Sequence, residues 1–281
     1  MGASDDAEGV DRALAEERAL VASLGGYSLE IAGASLVTHE RIPVPRFNFV
    51  QDVRVAAARQ SAFFERALDH YFQRSIRPTI RIGEPVPPHL DRGVSLLGFR
   101  RAPEPHLVLL ARSDRPGRWA PGVEVREPRA DEFDTVAGFW MEAKDRAELR
   151  RSLEVIWTHP NPDERLTPLL AFRGDRPVGA ALVHAYSGVY AIHAVATRPD
   201  ARGQGVASSI VDAARREIVP SGRPVAIHAD ARRLVGRLGL LGFAVAREFR
   251  VYELPEDAEL SLPRPGPAGP PRWRPPRAAP G

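Results

Sequence analysis

The spacing of apolar and polar residues divides the chain into short segments with either helix or strand periodicity. Residues 7–24 carry apolar side chains at helical spacing, and the glycines at 25–26 end the run, so the sequence predicts a helix there. From 27 to 112, short runs rich in β-branched and aromatic residues alternate with helical patterns. Residues 123–255 show the same alternation, which predicts a second α/β segment after the first.

One strand–turn–helix segment stands out within the second half. The apolar run 189–196 predicts a strand, and the amphipathic run 206–218 predicts a helix. Gly203 and Gly205 lie between them, where their lack of a Cβ lets backbone N–H groups converge on one ligand. Such a turn at a helix N-terminus binds phosphate, and we prefer this interpretation to an ordinary turn that needs glycine only for its dihedral angles.

The residues of this turn also carry a family resemblance. Arg202-x-x-Gly205-x-Ala207, behind Val195-Ala196-x-x-Pro199, resembles the acetyl-CoA signature of the GNAT acyltransferases. A second marker of that family, Leu240-Leu241-Gly242-Phe243, precedes the final predicted strand, and the resemblance covers residues 122–254. It implies a mixed α/β sheet flanked by helices.

A repeated four-residue block suggests an internal duplication. Residues 96–99 read Leu-Leu-Gly-Phe, as do residues 240–243, and each block follows a predicted strand and helix. The first half has Ala56-Ala57-Ala58-Arg59 where the second has its glycine turn, so its backbone is not suited to form the phosphate nest. We therefore expect two tandem GNAT-like units, the first degenerate and without a CoA site; a chance match is the alternative.

The expected domain organisation follows from these patterns and from composition. Pro, Gly and Arg dominate the C-terminal segment, which cannot bury enough apolar surface to fold. The predicted segments are a lead-in helix at 1–26, a degenerate GNAT-like domain at 27–112, a linker at 113–122, a catalytic GNAT domain at 123–255 and a disordered tail at 256–281.

Composition and charge narrow the function classes. Of 281 residues, 43% are hydrophobic and 27% charged, as in a soluble globular protein, and the first residues lack a secretory signal pattern, so we expect a cytoplasmic protein and no membrane partner. The chain has no cysteine, which excludes disulfides and thiolate chemistry. Its net charge is only +3, and no basic block is interleaved with aromatic residues, so we expect no nucleic-acid partner.

The resemblance implies acetyl-CoA as co-substrate and no metal. In that family the backbone of the central strand pairs with the pantetheine arm, and a backbone N–H polarises the thioester carbonyl. The implied pantetheine contacts are Ala194, Val195 and Ala196. The implied pyrophosphate contacts are the N–H groups of Arg202, Gly203, Gln204, Gly205, Val206 and Ala207.

The proton-transfer residues are less well defined. The family often has a tyrosine that acts as general acid four residues before the Gly-Phe pair, and an asparagine seven residues before that tyrosine. This sequence has Leu238 and Ala231 at these positions. Substitutes near the central strand are His193, placed first because it borders the acyl-binding segment, then His228, Asp230, Tyr190 or solvent. Trp157, His159 and Tyr186 lie on elements that border the acceptor side. Ordinary structural packing is the alternative for each of these side chains.

Three functions follow in order of preference. The first is acetyl transfer to a primary amine of a small molecule or a protein, by direct attack and without an enzyme nucleophile. The second is a catalytically inactive CoA-binding sensor or interaction module, which Leu238 and Ala231 favour. The third is dinucleotide binding through Gly203-x-Gly205-x-x-Ser208 and Asp230, although Ser208 replaces a required glycine. The oligomeric state stays open, with a homodimer as one option.

Overall fold

A computed structural model describes residues 3–112, 120–141, 143–158, 165–220 and 222–258 as a mixed α/β protein. The helices are α1 (Ala3–Ser23), α2 (Gln60–Phe72), α3 (Pro88–Leu96), α4 (Phe133–Ala137), α5 (Ala143–Trp157), α6 (Val206–Ala213) and α7 (Val235–Leu240). The strands are β1 (Tyr27–Ile31), β2 (Ala34–Thr38), β3 (Phe49–Gln51), β4 (Thr79–Gly83), β5 (Arg100–Arg101), β6 (His106–Ala111), β7 (Val123–Arg126), β8 (Leu166–Arg173), β9 (Arg176–Tyr186), β10 (Val189–Thr197), β11 (Val225–Ala229) and β12 (Phe243–Glu253). Among the described residues, no helix is both long enough and apolar enough to cross a bilayer.

The chain forms two compact units, and the first, unit 1, comprises Met1–Gly25 and Leu107–Glu248. Its strands β7, β8, β9 and β10 pair in that order and are antiparallel. β10 then pairs in parallel with β11, and β11 pairs antiparallel with β6. The parallel step requires a crossover from β10 to β11, and α6 supplies it.

Two helices cover opposite faces of β10 in unit 1. Ile192 packs in one apolar core with Val206 and Ile210 of α6. The next residue, His193, contacts Glu16 of α1, and successive side chains of a strand point to opposite faces. The side chains of Val206 and Ile210 are 1% and 0% exposed, and burial of each stabilises that face by roughly 1.5–3 kcal/mol. The helix predicted at 7–24 thus corresponds to α1, which packs on the sheet and supplies polar groups to the face of β10 opposite α6.

The second compact unit, unit 2, comprises Gly26–His106 and Phe249–Gly281. β1, β2 and β3 are antiparallel, β3 pairs in parallel with β4, and β4 pairs antiparallel with the end of β12. The α2 side chains Phe63, Phe64 and Tyr71 fill its core. The Tyr71 hydroxyl lies 2.8 Å from the carbonyls of Val37 and Phe49, so this buried polar group is satisfied.

The compact units divide the chain differently from the predicted domains 27–112 and 123–255. The lead-in helix α1 and most of β6 belong to unit 1, and the last five residues of β12 belong to unit 2. The cause is strand pairing, because β6 bonds to β11 and the end of β12 bonds to β4. Local apolar patterns predict strands but not their partners, so the sequence order of elements did not reveal this arrangement.

The predicted linker and tail lie largely outside the described residues, which omit 113–119 and 259–281. Residues 256–258 are described. There Arg77 donates hydrogen bonds to the carbonyls of Pro255 and Ala258, at 2.7 Å and 2.9 Å. The first residues of the predicted tail are therefore fixed to unit 2.

Candidate functional site

The site begins with an irregularity in β10. Its pairing with β9 shifts register between His193 and Ala196, and Ala194 adopts a positive φ of 54°. On the other side, the recorded parallel pairs with β11 run from Tyr190 to Ile192. Beyond Ile192, the backbone of β10 therefore diverges from β11, and side chains from Ala194 onward are half-buried. A diverging strand edge of this kind offers N–H and C=O groups to an extended ligand.

Trp140 marks the position of the irregularity. Its indole Nε1 donates a hydrogen bond of 2.5 Å to the carbonyl of Ala194. That carbonyl is one of the groups implied for pantetheine binding. The Trp140 side chain therefore lies at the acyl end of the implied cofactor path, and it fixes the direction of the Ala194 carbonyl.

The turn between β10 and α6 has the backbone form that the sequence predicts for a phosphate nest. Gly203 has φ of 76°, and Gly205, the N-cap of α6, has φ of 82°. Both angles lie in the left-handed region that favours glycine. A Cβ at Gly205 would lie 3.1 Å from the Ala120 Cβ, a tight contact, whereas Gly203 faces open space.

The rest of the turn is held by side-chain contacts. Gln204 Nε2 donates to the Asp200 carbonyl at 2.8 Å, and its Oε1 accepts a hydrogen bond from Arg173. Ser209 Oγ accepts from the backbone N–H of Ala120 at 2.9 Å. The first turn of α6 contains no acidic residue. The helix dipole therefore faces a preformed turn, as anion binding requires.

A buried polar cluster lies on the opposite face of β10 from α6. Glu16 of α1 is 0% exposed; His184 Nδ1 lies 2.7 Å from its Oε1, and His193 Nε2 lies 2.9 Å from both its carboxylate oxygens. His228 Nε2 lies 3.8 Å from Glu16 Oε2, and its ring stacks on that of His193 with centroids 4.7 Å apart. Glu17 Oε2 lies 3.7 Å from His228 Nδ1.

Strand register explains why three histidines meet there. Ala191 of β10 pairs with His184 of β9, so these two residues lie on one face of the sheet. His193 follows Ala191 by two residues on β10 and therefore lies on the same face as His184. Ile192 pairs with Ile227, which puts His228 of β11 beside His193. The three adjacent strands thus present one imidazole each toward α1.

Electrostatics fix the charge state of the carboxylate. Burial by itself raises the pKa of Glu16, but the charge of His193 and the hydrogen bonds from His184 and His193 outweigh it and lower that pKa to about 2. Glu16 is therefore ionised at neutral pH. The protons in its hydrogen bonds belong to the imidazole nitrogens, which donate to the carboxylate.

The other predicted proton-transfer residues lie in different surroundings. Tyr190 packs in the apolar core that contains α6, on the face of β10 away from His193. Asp230 is exposed just after the end of β11. Leu238 and Ala231, at the positions where the family often has tyrosine and asparagine, are 8% and 6% exposed. Of the four predicted residues, only His193 and His228 are brought together.

Two of the three residues predicted at the acceptor side, Trp157 and Tyr186, lie within the described part of the chain. Trp157 Nε1 donates to Glu127 Oε2 at 3.0 Å, and its ring packs against Phe133 at a centroid distance of 5.3 Å. Tyr186, at the end of β9, is 37% exposed. His159 lies outside the described residues. Packing accounts for the position of Trp157.

Sequence reasoning missed Glu16, His184 and Trp140. One available signal was that Glu17 continues the apolar stripe of α1, seven residues after Val10 and three before Leu20. Glu16 adjoins that stripe and is equally buried. Acids on the apolar face of a helix indicate a buried polar partner. The partner histidines are far away in sequence, so only the fold reveals them.

The chain is similar to known acetyltransferases in sequence and fold. Residues 130–239 match the model of the acetyltransferase (GNAT) family. A comparison with curated proteins gives no match.

Solved structures extend the similarity over most of the chain. A GCN5-related N-acetyltransferase from Kribbella flavida aligns with a TM-score of 0.60 and 17% identity, over 85% of this chain and 94% of its own. A conserved protein of unknown function from Staphylococcus epidermidis gives 0.59 and 14%, over 82% and 94%. A tandem GNAT protein from the clavulanic acid biosynthesis pathway, solved without AcCoA, gives 0.56 and 15%, over 84% and 79%. The expected fold class, a GNAT-like mixed sheet in tandem units, is confirmed.

Proposed function

We propose that this chain, which carries a GNAT-family acetyltransferase domain at residues 130–239, transfers an acetyl group from acetyl-CoA to a primary amine. The observation that carries the proposal is the combination of the β10 irregularity at Ala194 with the two left-handed glycines before α6. Each feature alone occurs in many folds. Their succession along one strand–turn–helix segment provides groups for a thioester and for a pyrophosphate in the order in which CoA presents them.

The backbone of the turn and of β10 supplies the cofactor contacts. The pyrophosphate would accept hydrogen bonds from N–H groups between Arg202 and Ala207, at the positive end of α6. The pantetheine amides would pair with backbone groups of Ala194, Val195 and Ala196, on the edge that diverges from β11. The residues present therefore fit the cofactor.

The chemical step needs no enzyme nucleophile. The amine nitrogen attacks the thioester carbonyl, the C–N bond forms, and the C–S bond breaks with departure of CoA as a thiolate. A backbone N–H near Val195 would stabilise the negative charge that develops on the carbonyl oxygen. The proton lost by the amine goes to His193, and the thiolate takes a proton from water, His228 or Asp230.

The acceptor is defined only by class. A primary amine, on a small metabolite or a protein, suits direct attack. We expect the reaction to occur in the cytoplasm.

A second candidate is CoA binding without turnover. Leu238 and Ala231 are buried apolar residues where many GNAT enzymes have polar ones, so the usual leaving-group acid is absent. The chain would then act as a CoA-dependent sensor. Fold similarity does not distinguish the two functions.

The test is release of free CoA from acetyl-CoA in the presence of a panel of primary amines, with acetyl-CoA binding measured in parallel. We expect binding and acceptor-dependent release. Binding without release on any acceptor would support the sensor, and absence of binding would contradict both candidates.

A further inference from the structure

The carboxylate of Glu16 is placed to act on His193. It is fully buried, and both of its oxygens lie 2.9 Å from His193 Nε2. A second histidine, His184, donates from Nδ1 to Glu16 Oε1 at 2.7 Å, and Ser23 Oγ lies 3.5 Å from the other nitrogen of that ring. The carboxylate is therefore fixed from two sides, and its orientation toward His193 does not depend on solvent.

This contact leaves one ring nitrogen of His193 for chemistry. Because Nε2 donates to Glu16, Nδ1 is the nitrogen that can accept a proton. His193 directly precedes Ala194, where β10 diverges from β11. The base is thus attached to the strand segment that would hold the thioester.

Resting on the proposed function, we propose that Glu16 is the positioning residue of an acid–base pair with His193. The carboxylate holds His193 in the tautomer with its proton on Nε2, and it stabilises the imidazolium that forms when Nδ1 takes the proton of the attacking amine. Glu16 itself stays ionised, and the proton leaves His193 to solvent after CoA departs. This is the role that a buried carboxylate has in hydrolytic triads.

The pair does not act in isolation. Within unit 1, further titratable groups of this cluster include His184 of β9, His228 of β11 and Glu17 of α1. Glu16 lies outside residues 130–239, so a domain cut to the family match would lack it.

The same atoms suggest a competing arrangement. Ligand atoms of Glu16, His193 and His228 all lie within 4.8 Å of one another, a spacing that a divalent metal ion could bridge. A metal would occupy the nitrogen lone pairs and prevent His193 from acting as a base. The experiment must therefore include metal removal.

The test is a double-mutant cycle on the full chain with Glu16→Gln, His193→Gln and the double variant, measured as kcat and as KM for acetyl-CoA. We expect each single variant to lower kcat by about 100-fold and the double variant to be no worse, since Glu16 acts only through His193. KM for acetyl-CoA should change little.

A conservative variant guards against loss of folding. Glu16→Asp keeps the charge, so it should recover part of the kcat that Glu16→Gln loses; thermal unfolding of every variant identifies unfolded protein. Multiplicative losses in the double variant would show that Glu16 acts independently and would overturn the proposal. Loss of activity on chelation, restored by Zn²⁺, would overturn it in favour of a metal site. If the wild type releases no CoA with any amine, the proposed function fails and this role fails with it.

Discussion

β10 of unit 1 and β3 of unit 2 lead into matching crossovers. Ala194 and Asp52 both have positive φ, 54° and 57°, and each precedes a helix that leads to a parallel strand. The connections differ. Gln60 begins α2 eight positions after Asp52, whereas Val206 begins α6 twelve positions after Ala194, and only the longer connection contains Gly203 and Gly205.

The polar side chains on the corresponding strands of the two units also differ. When the two units are aligned by superposing Asp52 on Ala194 and following the strand pairings, the compared positions in unit 2 are Val37, Gln51 and Arg81. The corresponding positions of unit 1 are His184, His193 and His228. Unit 2 thus retains the strand irregularity, which is a property of the scaffold, but lacks the glycine turn and the histidines. The comparison indicates which residues of unit 1 the fold does not require.

The repeated block supports common architecture. Gly98 and Gly242 have φ of 85° and 86° and lie two residues after the last residues of α3 and α7. Phe99 and Phe243 are each 3% exposed. Each block thus ends a helix with a left-handed glycine and returns the chain to the core with phenylalanine.

The largest predicted effect follows from the composition of the units, because each contains segments from both the N-terminal and the C-terminal half of the sequence. A fragment of residues 120–281 lacks α1 and β6, which belong to unit 1. We expect it to show no cooperative thermal unfolding, because β11 loses an antiparallel neighbour and Glu16 is missing. Mixing it with residues 1–112 should restore a transition. A cooperative transition of the fragment alone would show that the sequence halves, not the compact units, are the folding domains.

A smaller effect concerns the contribution of the buried Glu16 carboxylate to the stability of unit 1. The pKa of Glu16 is lowered from 4.5 to about 2, so its contribution to stability is present above pH 4.5 and is lost as pH falls toward 2. Glu16→Gln should therefore lower the free energy of unfolding at pH 7 by about 3 kcal/mol and weaken its dependence on pH below 5. Urea titrations at several pH values measure this. An unchanged pH dependence would mean that the cluster is not ionised as described.

The smallest effect concerns Gly179 of β9, where the backbone of the strand packs closely against α6. A Cβ at Gly179 would lie 2.8 Å from Val206 Cγ1 and 2.9 Å from the Ala196 carbonyl, so Gly179→Ala should destabilise the protein by about 1–3 kcal/mol. Gly236→Ala in α7, where a Cβ meets nothing within 4 Å, is the matched control and should not destabilise. Equal thermal stability of the two variants would contradict the packing of α6 on β9.

Much of this architecture could be predicted from sequence because it depends on local chemistry. The glycine turn, the helix after it and the two Leu-Leu-Gly-Phe blocks all lie where the sequence indicates. The grouping of strands could not be predicted, since β6 finds its partner β11 more than one hundred residues away. For the same reason Glu16 escaped notice: its partners lie 168 and 177 positions further along the chain.

Acetyl-CoA titration by calorimetry tests the central claim, that only the crossover of unit 1 holds the cofactor. We expect one molecule bound per chain, and Gly203→Glu should weaken binding by roughly 100-fold, because a carboxylate at the turn repels the pyrophosphate and removes charge-assisted hydrogen bonds. Gly222→Glu is the matched control, since Gly222 has a φ of 80° and open surroundings similar to those of Gly203, but it precedes β11 at the other end of the strands. This control should bind as the wild type does. Two molecules per chain, or equal affinity of both variants, would contradict the account.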